Sequence, residues 1–300
     1  MKWVVWFLLV CVILSTFAFW LGWGCRKHWS IVTGWAALPA EELAWERFSK
    51  ASYEKTIGYP ELQWFGHSTI GIAWNGRYLL TDPVISGRVK LAPRLFDQPC
   101  LDETKPVDAI LISHAHMDHL DNASLERLLP TIIYLPSGSE RFLSETVRKR
   151  HTVIPVKMGV PFSIGALEVV PVPAKHGGWR YPWQRGLFAC GYIVRANMDE
   201  LYIAGDTASG PHFSEIKDEY HPRYAVLPIG AYSPEWFLRK RHLNPEEALD
   251  AAAALNAEFV IPYHFGTFRL SLEKVDEPLN RFAREALKRK QKWVLPVGRN

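Results

Sequence analysis

The sequence predicts an α/β fold that builds a site at the carboxyl ends of its strands. Three observations lead there. The short apolar run Asp108-Ala109-Ile110-Leu111-Ile112 reads as a buried strand. It passes directly into Ser113-His114-Ala115-His116-Met117-Asp118-His119, which packs three imidazoles and a carboxylate into six residues. Three later apolar runs follow the same pattern: Leu167 to Ala174 leads to His176, Leu201 to Thr207 carries Asp206, and Phe259 to Tyr263 ends at His264. Helical stretches separate these strands, at Asn122 to Leu129 and again from Asn244-Pro245 onward.

The elements follow in chain order. Residues Trp3 to Trp23 form an uncharged, mostly apolar run of 21 residues, long enough as a helix to cross a hydrocarbon core of about 30 Å. Trp3, Trp6, Trp20 and Trp23 crowd its ends, as interfacial anchors do. A cleaved signal peptide is the rival, with Thr16-Phe17-Ala18 offering small residues. The length of the run and the short basic start, Lys2 alone, favour a retained single-pass membrane anchor. Arg26 and Lys27 after the span lean the rest of the chain toward the cytoplasmic face. The expected organisation is an anchor over 1–25, a membrane-proximal helix and linker over 26–58 with the helix at Pro39 to Lys50, and one large domain over 59–300. Within that domain Asn75-Gly76 marks a tight hairpin turn. His114 and His116, two apart on a chain leaving a strand, point the same way, and Asp118 and His119 fall in the turn before a helix. Clustered His and Asp at this spacing suit borderline divalent metals. Leu279 to Gln291 reads as a basic helix, taken as a solvated face, with contact to anionic headgroups as the alternative.

Composition narrows the partners. A net charge of +4 with no basic stripe gives no footprint for nucleic acid. The cysteines, Cys11, Cys25, Cys100 and Cys190, are widely spaced and form no C-x-x-C, so neither a disulfide framework nor a thiolate zinc site is expected.

The H-x-H-x-D-H stretch resembles the signature of the metallo-β-lactamase superfamily. Further stretches narrow the likeness: Trp64-Phe65-Gly66-His67-Ser68-Thr69, Leu79-Leu80-Thr81-Asp82-Pro83, Leu227-Pro228-Ile229-Gly230-Ala231-Tyr232, His242-Leu243-Asn244-Pro245-Glu246-Glu247-Ala248 and His264-Phe265-Gly266-Thr267-Phe268. Together, from about Gln63 to Leu270, they resemble bacterial relatives of N-acylphosphatidylethanolamine-hydrolysing phospholipase D. In one place the chain departs from the pattern. A Trp is expected directly after the third metal histidine, but His176 is followed by Gly177-Gly178-Trp179-Arg180.

The resemblance implies a four-layer αβ/βα sandwich and a site for two divalent metal ions, with zinc expected. It places His114, His116 and His176 on the first ion, Asp118, His119 and His264 on the second, and Asp206 as the bridge. Asp118 or Asp206 would steer the proton of an attacking water, and His242 would contact a substrate phosphate or leaving group. His67 and Asp82 are read as orienting partners of the ligands. Gly66, Gly205 and Gly230 would let backbone approach the cleft closely. The implied function is a membrane-anchored phosphodiesterase of phospholipase D type, with membrane phospholipid of the N-acylphosphatidylethanolamine kind as substrate. A lactonase or amidase on a small substrate is the enzymatic alternative, and a non-catalytic membrane-binding protein on a hydrolase scaffold is the other.

The anchor expectation is checked by mass spectrometry of the mature chain. A retained anchor leaves residues 1 to 25 in place. An N-terminus near Phe19 marks a signal peptide and removes the anchor.

Overall fold

Strands β1 (Glu61–Trp64), β2 (Ile70–Trp74) and β3 (Arg77–Thr81) form an antiparallel meander. Asn75 (φ 46°) and Gly76 (φ 71°) supply the two left-handed residues that a two-residue hairpin turn requires. The small hairpin β4 (Arg88–Val89) and β5 (Ala92–Pro93) precedes β6 (Ala109–Leu111), which pairs parallel with β3. Helix α1 (Asn122–Arg127), strand β7 (Ile132–Pro136), helix α2 (Glu145–Arg150) and strand β8 (Thr152–Val156) follow, with β6, β7 and β8 parallel. This completes a six-stranded sheet of order β1-β2-β3-β6-β7-β8. The computed structural model describes residues 60–95, 101–181, 183–184 and 186–296. The apolar span, the Pro39 to Lys50 helix, Cys11, Cys25 and Cys100 lie outside the described residues. Among the described residues no helix is long and apolar enough to cross a membrane.

The second half repeats the plan. Strands β9 (Phe162–Ile164), β10 (Leu167–Gly177), β11 (Phe188–Ala196) and β12 (Asp199–Ile203) form an antiparallel meander. Helix α3 (His212–Glu219) then leads to β13 (Tyr224–Pro228). The short α4 (Glu235–Leu238) and longer α5 (Pro245–Leu255) lead to β14 (Phe259–Tyr263), and α6 (Glu277–Arg289) to β15 (Lys292–Trp293). The last four strands of this half run parallel, giving a seven-stranded sheet of order β15-β14-β13-β12-β11-β10-β9.

Each sheet buries apolar residues against its own helices. Ile110, Ile133 and Leu135 pack with Leu125 of α1 and Val147 of α2. On the second sheet, α5 buries Ala248, Leu249 and Ala252, and α6 buries Leu279 and Phe282. The sheets meet through specific bonds as well as packing. Tyr192 Oη donates to the Ile112 carbonyl at 2.7 Å, and Cys190 N–H donates to the Ser113 carbonyl at 3.0 Å. These bonds join β11 to the chain leaving β6 directly beneath the histidine motif.

Among the described residues the expected helices and strands are present, with shifted ends. The helix at Asn122 stops at Arg127, and Leu128 is already extended, two residues ahead of Pro130. The strand expected to stop at Ala174 continues to Gly177, so His176 is carried on β10 itself, beside a register shift between Pro173 and Gly177. The basic face of α6 is largely paired within the protein: Arg281 with Glu246 and Glu277, Arg289 with Asp250 and Glu285, Lys288 with Glu285. That pattern supports the solvated-face expectation.

Helix α5 begins at Asn244, whose side chain accepts from Glu247 N–H while Glu247 accepts from Asn244 N–H, with Pro245 in the first turn. Asn244→Ala removes one half of this reciprocal cap. It should cost about 1 kcal/mol and lower the melting temperature by about 2–4 °C, read by thermal denaturation.

Candidate metal centre

Each expected ligand leaves the carboxyl end of a strand or the loop just beyond it. After β6 the chain turns tightly, with the His119 and Leu120 N–H groups both donating to the His116 carbonyl at 3.1 and 2.8 Å. This turn brings His116, Asp118 and His119 around one point. Strand β10 delivers His176, the loop after β12 delivers Asp206, and β14 passes directly to His264. Gly205, before Asp206, has φ 63°, and a Cβ there would lie 2.8 Å from Ser113 Cβ. Only glycine lets the Asp206 loop approach the motif this closely.

The seven expected ligands, joined by His67, converge as two groups. Donor atoms of His114, His116, His176 and Asp206 lie within 4.8 Å of one another, and so do those of His67, Asp118, His119 and His264. Asp206, His242 and His264 form a third, overlapping group. Asp206 lies between the first two. Its Oδ2 is 3.9 Å from His114 Nε2, 3.8 Å from His176 Nε2 and 3.3 Å from His119 Nε2. Its Oδ1 is 3.1 Å from His264 Nε2.

The donor chemistry fits divalent cations. Around a tetrahedral ion with bonds of about 2.0–2.1 Å, neighbouring donors stand roughly 3.3 Å apart. His114 Nε2 to His116 Nδ1 is 2.9 Å, His116 Nδ1 to His176 Nε2 is 3.1 Å, and His119 Nε2 to His264 Nε2 is 3.2 Å. Several of these nitrogens carry lone pairs rather than protons on the inward side. His176 Nδ1–H donates to the Arg241 carbonyl at 2.8 Å, leaving Nε2 bare toward the cleft. His119 Nδ1 lies 2.7 Å from Asp82 Oδ2, which sets the ring with its Nε2 toward the cleft. Asp206 Oδ1 is buried without a hydrogen-bond donor. Lone pairs facing lone pairs at such distances call for a cation between them.

Electrostatics point the same way. Burial opposes protonation of His119, yet Asp206, Asp82 and Asp118 outweigh it and raise the pKa well above the ordinary value. That imidazole therefore marks a place that demands positive charge, and a metal ion meets the same demand. Burial works against ionisation of Asp118 and Asp206, but the surrounding imidazoles, His119 and His264 foremost, hold both carboxyls well below the usual range. Burial and then His176 push His116 down to about 4, so its lone pair is available at neutral pH.

The expected orienting residues take that position. Asp82 accepts from Ser113 N–H (2.7 Å) and Ser113 Oγ–H (2.6 Å) as well as facing His119. His67 Nε2 is 3.1 Å from Asp118 Oδ2, and His67 is also close enough to count among the second group's donors. His242 reaches the cleft, its Nδ1 3.7 Å from Asp206 Oδ2, and is 12% exposed where His114, His176 and His264 are at most 1%. Sequence patterns missed two contributors. Ser113 was visible as the residue before the motif but carried no signal of its own. Arg241 holds His176 by a main-chain carbonyl, which no side-chain pattern can announce.

The departure at Gly177-Gly178-Trp179 is resolved by geometry. Trp179 folds back over Gly177, where a Cβ would lie 2.4 Å from the indole Nε1. At Gly178 a Cβ would lie 2.2 Å from the Phe188 main chain. The paired glycines thus return the indole to the cleft, edge-on to His116 at 5.1 Å.

Asp82→Asn keeps the size of the side chain but replaces one acceptor oxygen by a donor against His119 and Ser113. Metal affinity should fall by about 10–100-fold, measured by competition with a chelator. Unchanged affinity would remove Asp82 from the centre.

Residues 77–265 match the family model described as a β-lactamase superfamily domain. The chain is 32% identical over 235 residues to an uncharacterised protein of Mycobacterium tuberculosis, covering 73% of this chain and 62% of that protein. It is 30% identical over 261 residues to N-acyl-phosphatidylethanolamine-hydrolyzing phospholipase D 1 of Caenorhabditis elegans, covering 75% of this chain and 70% of that protein. A metal-dependent hydrolase of Koribacter versatilis is 28% identical, covering 72% and 89%. Among solved structures, a metallo hydrolase from Ignicoccus hospitalis has TM-score 0.60 at 22% identity, over 80% of this chain and 96% of that one, a likeness of fold. With the convergent His and Asp donors, these matches place the chain in the metallo-β-lactamase superfamily, and it spans 62% of the length of the mycobacterial relative.

Proposed function

We propose that the protein is a membrane-anchored phosphodiesterase that uses two divalent ions, zinc by expectation, to hydrolyse a phospholipid of the N-acylphosphatidylethanolamine kind. The carrying observation is the border of the cleft. Trp236 is 80% exposed and Phe237 53% on α4, six and five residues before His242. Leu272, 54% exposed in the loop after His264, is held beside α4's approach by its N–H bond to the Ser233 carbonyl. Arg239, Lys240 and Arg241 follow the two aromatic residues and are exposed. Aromatic rings beside cationic side chains suit a lipid interface better than a small polar metabolite. The similarity to the phospholipases D of Caenorhabditis elegans and Saccharomyces cerevisiae supports the same substrate class.

When bound, two such ions supply Lewis acidity and lower the pKa of water toward neutrality. The chain's own residues do the rest. His114, His116, His176 and Asp206 would hold one ion; Asp118, His119 and His264, with Asp206 shared, would hold the other. Asp118, 17% exposed, or Asp206 would accept a proton from the nucleophile. Burial, foremost, lowers His242 to about 3, so at neutral pH it offers a neutral imidazole to a phosphoryl oxygen or leaving group. Attachment through residues 1–25 would keep the cleft at the bilayer, on the cytoplasmic side by charge bias.

Elemental analysis of metal-replete protein should give close to two ions per chain. Asp206→Ala should cut hydrolysis by orders of magnitude with the fold retained, whereas Asp218→Ala, on an exposed carboxylate paired with Lys217, should do little. A hydrolysis screen over lipid vesicles, soluble phosphodiesters, lactones and amides tests the substrate. Turnover of phospholipid supports the proposal, and turnover confined to lactones or amides overturns it.

A further inference from the structure

We propose that Arg241 is a positioning residue for the first donor group, clamping His176 and His116 from the rim of the cleft, and that this group is the more easily loosened of the two. His176 is aimed by the Arg241 carbonyl, which accepts its Nδ1–H at 2.8 Å. That carbonyl belongs to the segment between α4 and α5. Helix α4 is a single turn with no buried residue, so the apolar core does not fix it. Turn bonds from Arg241 and His242 N–H to the Leu238 carbonyl, at 2.8 and 3.0 Å, shape the segment, and fully buried Leu243 holds its far end.

The Arg241 side chain holds the exposed end of the segment. Its guanidinium lies over the Trp179 ring at 5.4 Å and the Phe237 ring at 5.8 Å. Among the described residues it forms no ion pair, so these rings are its anchors. Trp179 in turn stands edge-on to His116 at 5.1 Å, and the His116 and His176 rings meet at 5.0 Å. The contacts therefore close a ring: Arg241 to Trp179, Trp179 to His116, His116 to His176, and His176 back to the Arg241 main chain. Arg241 and Phe237 are exposed.

The second group is held differently. His119 is set by buried Asp82, which is itself set by Ser113. His264 is set through its N–H bond to the His67 carbonyl at 2.9 Å. None of these contacts depends on an exposed side chain. In the first group His114 and Asp206 are buried, while His176 and His116 lean on a stack at the surface. The proposal rests on the two-ion proposal above and is independent of the substrate.

Zinc titration of the metal-free full chain in detergent micelles, followed by calorimetry, tests it. Arg241→Ala should weaken one zinc equivalent by about 10–100-fold and leave the other unchanged. Trp179→Ala should weaken the same equivalent, and the double variant should be no weaker than the worse single, because both remove one clamp. Arg241→Lys, which keeps a cation over the rings, should recover part of the loss. Should Arg241→Ala fail to fold, Phe237→Ala, which trims an exposed ring from the same stack, takes its place with the same expected loss. Equal weakening of both equivalents, no weakening, or fully multiplicative losses in the double variant would overturn the clamp. A single zinc equivalent in the unaltered chain would overturn the two-ion proposal instead. The clamp would then stand on a tenfold or greater loss in Arg241→Ala and fall on none.

Discussion

Charge balance in one buried space governs the rest of this molecule. Asp118 and Asp206 are ionised among imidazoles, with Asp82 directly behind His119, in a cleft closed by two sheets. Burying carboxylates costs several kcal/mol each unless positive charge and hydrogen bonds compensate. Protonated histidine compensates in part, as at His119, while neighbouring His114, His116 and His176 are driven neutral by burial and by one another. The arrangement is satisfied in full only by cations.

The backbone shows the same concentration of constraint. His67 (φ 48°), Asp82 (φ 36°) and His264 (φ 61°) all adopt left-handed conformations that residues with a Cβ seldom take. Each is a donor or directly supports one. Such conformations persist only where surrounding bonds over-determine them, and here the bonds are His264 N–H to the His67 carbonyl, His67 N–H to Thr267 Oγ1, and Ser113 N–H to Asp82 Oδ1. The scaffold holds the strain so that side chains arrive at the cleft already oriented.

Most of the fold and the donor set was legible in the sequence because each ligand follows a strand. An apolar run ending in His or Asp at Ile112, Ile203 or Tyr263 states both the element and its chemical end. The turn at Asn75-Gly76 and the helix start at Asn244-Pro245 were legible for a similar reason: local backbone geometry restricts residue type. What stayed hidden depends on contacts distant in sequence. The continuation of β10 to His176 comes from pairing with β11, not from its own pattern. The return of Trp179 to the cleft depends on two glycines whose purpose appears only beside Phe188. The support of His176 by the Arg241 carbonyl involves 65 residues of separation and a group every residue possesses.

The donor groups do not divide along the chain's two halves. His67, His114, His116, Asp118 and His119 come from the first sheet's half, and His176, Asp206, His242 and His264 from the second. Each of the two main groups draws on both halves. A bound ion would therefore act as a rivet between two similarly built sheets, adding to the Tyr192 and Cys190 bonds that already join them. The ion's binding energy is then shared with the docking of the halves, so the integrity of the whole domain becomes linked to free metal concentration. During synthesis the first half emerges with most of one group already encoded, yet that group cannot close until the last donor strand, β14, has brought His264 into place, and the other waits for His176 and Asp206 of the second half. Loading with metal is thereby coupled to completion of the fold.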